Sequence, residues 1–242
     1  MLAAQMKYEG EILYASIASD AAPGYTNKEW STLLTAGQEK VVKDIVDKGF
    51  DKEEKYRKAI SPLYLPVIVL VAAMGSDANI TNGKTTTIAA NVLRTTMERC
   101  STATTALISV KPISHDYYTA NIKNPHKKPD INYTFWRLQG FDTPNKQHII
   151  ITDGSILVDY KYVGITKPEP IIIEDSTYVA GDGSIDGIAF SAHTATPLEC
   201  TLGTFIHRWI VQEAVNIAFA SDKDTVGYQI SNAENIENIK NN

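Results

Sequence analysis

Apolar residues recur at helical spacing in the first quarter of the chain: Trp30, Leu33, Leu34, Gly37, Val41, Ile45 and Val46 fall on one face. The charges Glu39, Lys40, Lys43, Asp44, Asp47 and Lys48 lie between them. Thr26 and Glu29 have the spacing of a capping box, in which side chains satisfy the free N–H groups of a helix start. Gly49 stands where such a helix ends. Asp51 and Glu54 repeat the capping-box spacing and predict a second helix, burying Tyr56, Ala59 and Ile60 and stopping around Pro62. A further helix, with less even periodicity, is predicted over 2–18. The charged run 38–58 reads as the solvated face of these helices rather than as a binding surface.

Beyond Pro62 the pattern changes to short runs rich in Thr, Val, Ile and Tyr. Strands are predicted over 65–73, 85–93, 106–110, 133–138, 148–152, 156–163 and 170–174. Asp153-Gly154 separates two of them and predicts a hairpin. The segments 75–83, 123–130 and 180–187 are polar and turn-rich. After Pro197 helical spacing returns. Leu198, Leu202, Phe205, Ile206, Trp209, Ile210 and Ile217 share a face that also includes Glu213, which predicts a helix over 198–220. The tail from 223 is rich in Asn and Glu and is expected to order only against a partner.

Helices, then strands, then a helix, without regular alternation, argue for an α+β protein. The expected architecture is a small helical bundle from 1–64 and 197–222, with an antiparallel β-sandwich or barrel-like region over 65–196. The chain has 242 residues, enough for a full core without disulfides or metal. Its longest apolar run spans 65–74, half of what a bilayer span needs, and the N-terminus lacks the pattern of a secretion signal. Cys100 and Cys200 read as reduced thiols. Net charge is −5, from 28 acids and 23 bases, which argues against a general grip on nucleic acid.

Candidate chemistry is sparse. Asn82-Gly83-Lys84-Thr85 after an apolar run suggests a phosphate loop, but the pattern needs a glycine where Ala78 stands, and the residues after Lys84 favour strand. The histidines His115, His126, His148, His193 and His207 include no i, i+4 metal pair. His115-Asp116 lacks a nucleophile elbow, so Ser114 and Ser191 read as loop serines. No catalytic, cofactor-binding or metal-binding residue is assigned. Tyr117, Tyr118, Tyr133, Phe135 and Trp136 lie close to Lys127, Lys128 and Arg137, a composition that suits stacking of bases or sugars. Alternation along 133–137 divides these aromatics between two faces. One face then meets the core, and the other is expected to meet a neighbouring subunit.

Several segments together resemble one family. They are Leu34-Thr35-Ala36-Gly37-Gln38 and its continuation to Lys58; Val110-Lys111-Pro112-Ile113-Ser114-His115-Asp116-Tyr117-Tyr118; and Asn124-Pro125-His126-Lys127-Lys128-Pro129 followed by Phe135-Trp136-Arg137-Leu138. Tyr160-Lys161-Tyr162-Val163 with Lys167-Pro168-Glu169-Pro170-Ile171 belongs to the set. So does Glu199-Cys200-Thr201-Leu202 leading to His207-Arg208-Trp209-Ile210-Val211. In this order, over about 34–220, they are similar to the head–tail connector or ring proteins of short-tailed phages, above all those of crAss-like phages. The resemblance implies a virion structural protein, made in the host bacterial cytoplasm and placed at the neck. It implies a homo-oligomeric ring, usually of twelve copies, contacting the portal protein and neighbouring ring or tail proteins. Genome DNA would pass through without sequence-specific binding, and no membrane is involved. No catalytic residue carries over. Tyr117, Tyr118, Trp136, Arg137, Tyr160 and Tyr162 are the candidate subunit-interface residues, since a ring needs two different contact surfaces per copy. The alternatives are a carbohydrate- or receptor-binding virion module using Tyr133 or Trp136, and a nucleotide-binding enzyme using Lys84.

Overall fold

The computed structural model describes residues 1–17, 24–49, 53–77, 79–105, 107–141 and 146–221. The protein is a mixed α+β chain divided into two compact units. One comprises residues 1–62 together with the chain from 167 onward; the other comprises 63–166. Residues 167–196, which the sequence groups with the strands, therefore belong with the helices.

The first unit is built on helices α1 (Ala3–Ile17), α2 (Asn27–Asp47), α3 (Glu54–Ala59) and α5 (His207–Ser221). Helix α2 starts as its sequence dictates. The Thr26 hydroxyl accepts from the Glu29 N–H, and Glu29 accepts from the Thr26 N–H at 2.8 Å. Gly49 then takes φ +74°, a conformation that suits glycine after a helix end. The start of α3 differs from expectation. Its cap residue is Glu53, without a side-chain capping bond, and Asp51 lies outside the described residues. Helix α5 begins at His207, later than the predicted 198, because residues 198–206 run as an extended stretch and one short 3-10 turn.

Helices α2 and α5 meet at Gly37. A Cβ there would stand 2.8 Å from the Ile210 carbonyl oxygen and 2.9 Å from the Ala214 nitrogen. Both are backbone atoms within α5 and cannot step aside as a side chain could. Alanine is favoured over glycine inside a helix by about 1 kcal/mol. Overpacking against a fixed neighbour costs about 1–3 kcal/mol. Gly37→Ala is therefore expected to lower stability, seen as a reduced urea midpoint. A raised midpoint would mean that the helices separate freely.

The predicted strand 170–174 is not part of the sheet. It lies along α2, where three buried polar side chains one helical turn apart take up its backbone. Ser31 Oγ accepts from the Ile173 N–H at 3.0 Å. Thr35 Oγ1 accepts from the Ile171 N–H at 3.0 Å and donates to the Ile171 carbonyl at 3.2 Å. Gln38 Nε2 donates to the Glu169 carbonyl at 2.6 Å. Ile172 pairs in both directions with Leu198. Backbone groups that would be costly to bury unpaired are thus satisfied without a sheet. A small hairpin, β9 (Ser184–Ile185) with β10 (Ile188–Ala189), completes this unit.

His207 is buried and hydrogen-bonded through Nε2 to the Leu202 carbonyl at 2.8 Å. A carbonyl only accepts, so Nε2 carries the proton. Burial pulls the imidazole pKa below its ordinary value of 6.5. The folded state holds the ring neutral, and the unfolded chain binds its proton first as pH falls. The stability tied to this group is complete above the unfolded value and is lost as pH drops through it toward the lower folded value. Urea midpoints are expected to fall between neutral pH and pH 5, and less steeply for His207→Gln. Identical slopes would remove His207 as the cause.

The second unit is one eight-stranded sheet, curled as a half-barrel, the barrel-like and not the sandwich form of the expected region. Its strands are β1 (Tyr64–Leu70), β2 (Gly75–Ser76), β3 (Gly83–Ile88), β4 (Val92–Thr102), β5 (Ile108–Pro112), β6 (Thr134–Phe141), β7 (Lys146–Ile151) and β8 (Leu157–Thr166). They lie in the order β1-β8-β4-β5-β6-β7-β3-β2. The sheet is not wholly antiparallel. β5 and β6 run parallel, joined by a crossover that contains helix α4 (His115–Asn121). The Asp153-Gly154 turn is present, with Gly154 at φ +105°, but it makes no hairpin. β7 pairs with β3 and β6, whereas β8 pairs with β1 and β4. The predicted strand over 85–93 is likewise two strands, β3 and β4, separated by a turn in which the Val92 N–H donates to the Ala89 carbonyl.

Candidate functional site

Alternation along the strands gives the sheet two differently filled faces. Phe135, Ile150, Cys100, Val110, Tyr160 and Tyr162 share one cluster. Trp136, Leu138, Ile149 and Ile151 form another, covered by Ile113 and by Tyr117, Tyr118 and Ile122 from α4 and its end. The Ser114 hydroxyl caps α4 by accepting from the Tyr117 N–H. That fixes Tyr117 edge-on to Trp136, with ring centres 5.5 Å apart. Lys111 Nζ stands 5.3 Å from the centre of the Tyr117 ring.

The first face carries a buried polar network. Glu98 Oε2 accepts from Arg137 Nε at 2.8 Å and from the Tyr160 hydroxyl at 3.0 Å. Its other oxygen accepts from Thr95 Oγ1 at 2.7 Å. Tyr160 Oη also lies 3.0 Å from His148 Nδ1, and Arg137 Nη1 donates to Gln139 Oε1 at 3.2 Å. Glu98 reaches inward because β4 is irregular there: its pairing with β8 shifts register between Thr96 and Arg99. Met97, at φ +51°, absorbs the extra residue and turns outward. Burial first, and the Glu98 carboxylate second, push the Tyr160 phenol well above its ordinary pKa, so it stays a donor. Burial raises the Cys100 thiol in the same way and leaves it unreactive.

The six candidate interface residues occupy three kinds of place. Trp136, Tyr160 and Tyr162 are 2%, 0% and 4% exposed, enclosed by their own chain. Arg137 is held by Glu98 inside the sheet. Tyr117 and Tyr118 are half-buried on α4. The second face of β6 is covered by α4 of the same chain, where the sequence reading supplied a neighbour. The structure brings Tyr117 and Trp136 together, and Arg137 and Tyr160 through Glu98. Glu98 was missed because a lone acid in a Thr- and Arg-containing run carries no sequence signal.

The residues behind the alternative readings are also placed. Lys84 lies within β3, paired on both sides, so no helix follows Gly83-Lys84-Thr85 as a phosphate loop requires. Its amine donates to Ser76 Oγ at 2.9 Å, at the margin of a cleft of about 540 Å3 lined also by Asp77, Asn82 and Ser155. His115 Nε2 lies 3.1 Å from the Gln139 carbonyl oxygen, and His193 Nδ1 lies 3.0 Å from that of Thr196. No group of three metal-ligating side chains occurs among the described residues. Tyr133 is 78% exposed, unlike its neighbour Phe135 at 0%. No described helix is long and apolar enough to cross a membrane.

β1 ends the sheet, and Leu65, Ile68 and Leu70 on it are exposed. Comparison with known proteins adds what geometry does not. A family model described as phage tail ring protein 3/4 matches residues 1–229. A protein of Bacteroides phage crAss001 described as ring protein 4/5 is 31% identical over 225 residues, covering 88% of this chain and 90% of that protein.

Proposed function

This chain belongs to the phage tail ring protein 3/4 family, and from that premise we propose that it acts as a head–tail connector or adaptor in a phage virion. The observation that carries the reading is the family match along nearly the whole chain. Ring proteins are structural, and the function follows from shape and subunit contact, not from bond chemistry. In this reading copies assemble into a ring of twelve at the neck, below the portal. The ring extends the channel for genome DNA and docks the next ring or the tail. Its helices α1, α2 and α5 serve as a bundle, and the curled sheet as the second building block. The buried Glu98–Arg137–Tyr160 network supports the reading by making the sheet a stiff element within each copy. The acidic balance of −5 fits a wall that DNA passes without being held, since lysine and arginine contacts to phosphate would slow its passage.

Quantitative peptide mass spectrometry on gradient-purified virions tests this reading. The chain is expected in the particles at one copy per portal subunit. Abundance in infected cells with absence from particles would overturn it. Of the two aromatics behind the carbohydrate-binding reading, Tyr133 is exposed and Trp136 is enclosed.

A further inference from the structure

The two units carry opposite charge. Residues 63–166 hold ten Lys and Arg against seven Asp and Glu, a net of +3. Residues 1–62 with 167–242 hold 13 against 21, a net of −8. The total of −5 therefore combines a cationic sheet unit with an acidic helical unit. Salt screening leaves only charges within about 8 Å of a contact to act on it. A contact between like units of two copies sets like charge against like, whereas a contact between unlike units attracts.

On the sheet unit, lysines gather on the turn that follows α4. Lys123, Lys127 and Lys128 are exposed there and form no ion pair among the described residues. Neither acid of the same crossover, Asp116 or Asp130, pairs with them. The turn is held in one shape. The Asn124 carbonyl accepts from the Lys127 and Lys128 N–H groups at 3.1 and 3.0 Å, and Asn124 Oδ1 accepts from the His126 N–H at 3.0 Å. Pro125 and the buried Pro129 restrict the backbone further. A turn already fixed loses little freedom when it docks.

On the helical unit, acids concentrate in one stretch. Residues 168–206 contain Glu169, Glu174, Asp175, Asp182, Asp186 and Glu199, and no Lys or Arg. Four of these are answered from their own chain. Lys28 stands 4.0 Å from Asp182, and Lys167 stands 2.7 Å from Asp186. The Asn27 amide donates to Asp175 at 2.9 Å, and the Ala3 N–H donates to Glu199. Glu169 and Glu174 are exposed and meet no cation among the described residues. They flank the segment that Ser31, Thr35 and Gln38 fix along α2, so they too stand on a rigid base.

We propose that the turn carrying Lys123, Lys127 and Lys128 of one copy docks against Glu169 and Glu174 of the next copy, so that a cationic sheet unit meets an acidic helical unit at every contact around the ring. The proposal rests on the ring reading above and names the charges that orient its contact. The occupant is a second copy because the chain carries both halves of the match. A closed ring also needs two different surfaces on each copy, which these provide. Pairing a helical unit with a helical unit would oppose −8 to −8, so the charge pattern disfavours a two-fold dimer through that unit. Ion pairs of this kind set orientation and reject the reversed neighbour more than they supply affinity.

Carbodiimide joins an amine to a carboxylate only where the two touch, and purified virions supply the assembled protein. Links from Lys123, Lys127 or Lys128 to Glu169 or Glu174 are expected in the covalent dimers and higher multimers of this chain, and not in its monomer. Phage carrying Lys127→Glu with Lys128→Glu is expected to incorporate the chain severalfold less, while the free chain keeps its thermal midpoint, since both side chains are exposed and unpaired. Adding Glu169→Lys with Glu174→Lys is expected to restore incorporation, which a merely structural role would not do. Normal incorporation of the lysine variant overturns the proposal, as does a failure of the second pair to rescue it. Links from these lysines only to a different protein, or formaldehyde links from them to DNA, overturn the choice of a second copy. Absence of the chain from virions is a separate result that removes the ring reading itself.

Discussion

Replacing Glu98 with alanine is expected to destabilise the strand-rich unit by about 3–5 kcal/mol, the cost of leaving one member of a buried ion pair alone. Glu98 and Arg137 side chains are 5% and 12% exposed, so water cannot solvate the guanidinium that remains. Glu98 also receives the Tyr160 hydroxyl and Thr95, so three donors lose their acceptor together. The effect is a property of the single deletion. Glu98→Leu combined with Arg137→Met removes both charges and is expected to be much milder than Glu98→Ala alone. Hydrogen exchange of the β4, β6 and β8 amides, followed with and without urea, reads the unit directly. A loss below about 1 kcal/mol, the range of exposed pairs, would show that the network is solvated.

Trp30→Ala is expected to cost about 3–5 kcal/mol, the range for removing a large buried aromatic. Trp30 is 1% exposed on α2. α1 approaches it so closely that a Cβ on Gly10 would stand 2.7 Å from its ring. Tyr25 meets the same ring at right angles, with centres 5.8 Å apart. The hole would open between two helices that are each fixed elsewhere, by Tyr14 stacked on Phe219 and by Gly37 against α5, so little collapse can fill it. Trp30→Phe keeps most of the volume and removes an indole N–H that has no acceptor among the described residues. It is expected to cost clearly less. Thermal unfolding of the three proteins checks the order, and equal losses for Phe and Ala would contradict it.

What could be read from the sequence divides along a physical line. Helix α2 was legible from its cap to its terminal glycine because those signals are local: Thr26, Glu29, the apolar stripe and Gly49 act within one or two turns. Sheet order is not local. Asp153-Gly154 does form a turn, yet its flanking strands go to distant positions in the sheet, a choice made by their partners and not by the turn. β4 was hidden because its register shift at Thr96–Arg99 breaks the two-residue period on which strand recognition depends. Segment 170–174 has strand composition, but Ser31, Thr35 and Gln38 on a helix satisfy its backbone, an arrangement that leaves no mark in the segment itself. Two-sided burial of β6 was correctly inferred from Phe135 and Trp136, while the identity of the second cover was not. It is α4, twenty residues earlier in the same chain.

The ring itself is the central claim, and cryo-electron microscopy of the virion neck and tail tests it most directly. The expected result is a ring of this chain, coaxial with the DNA channel, in which every copy contacts its two neighbours through different surfaces. Density showing the chain as isolated copies on the particle surface, away from the channel axis, would contradict the account.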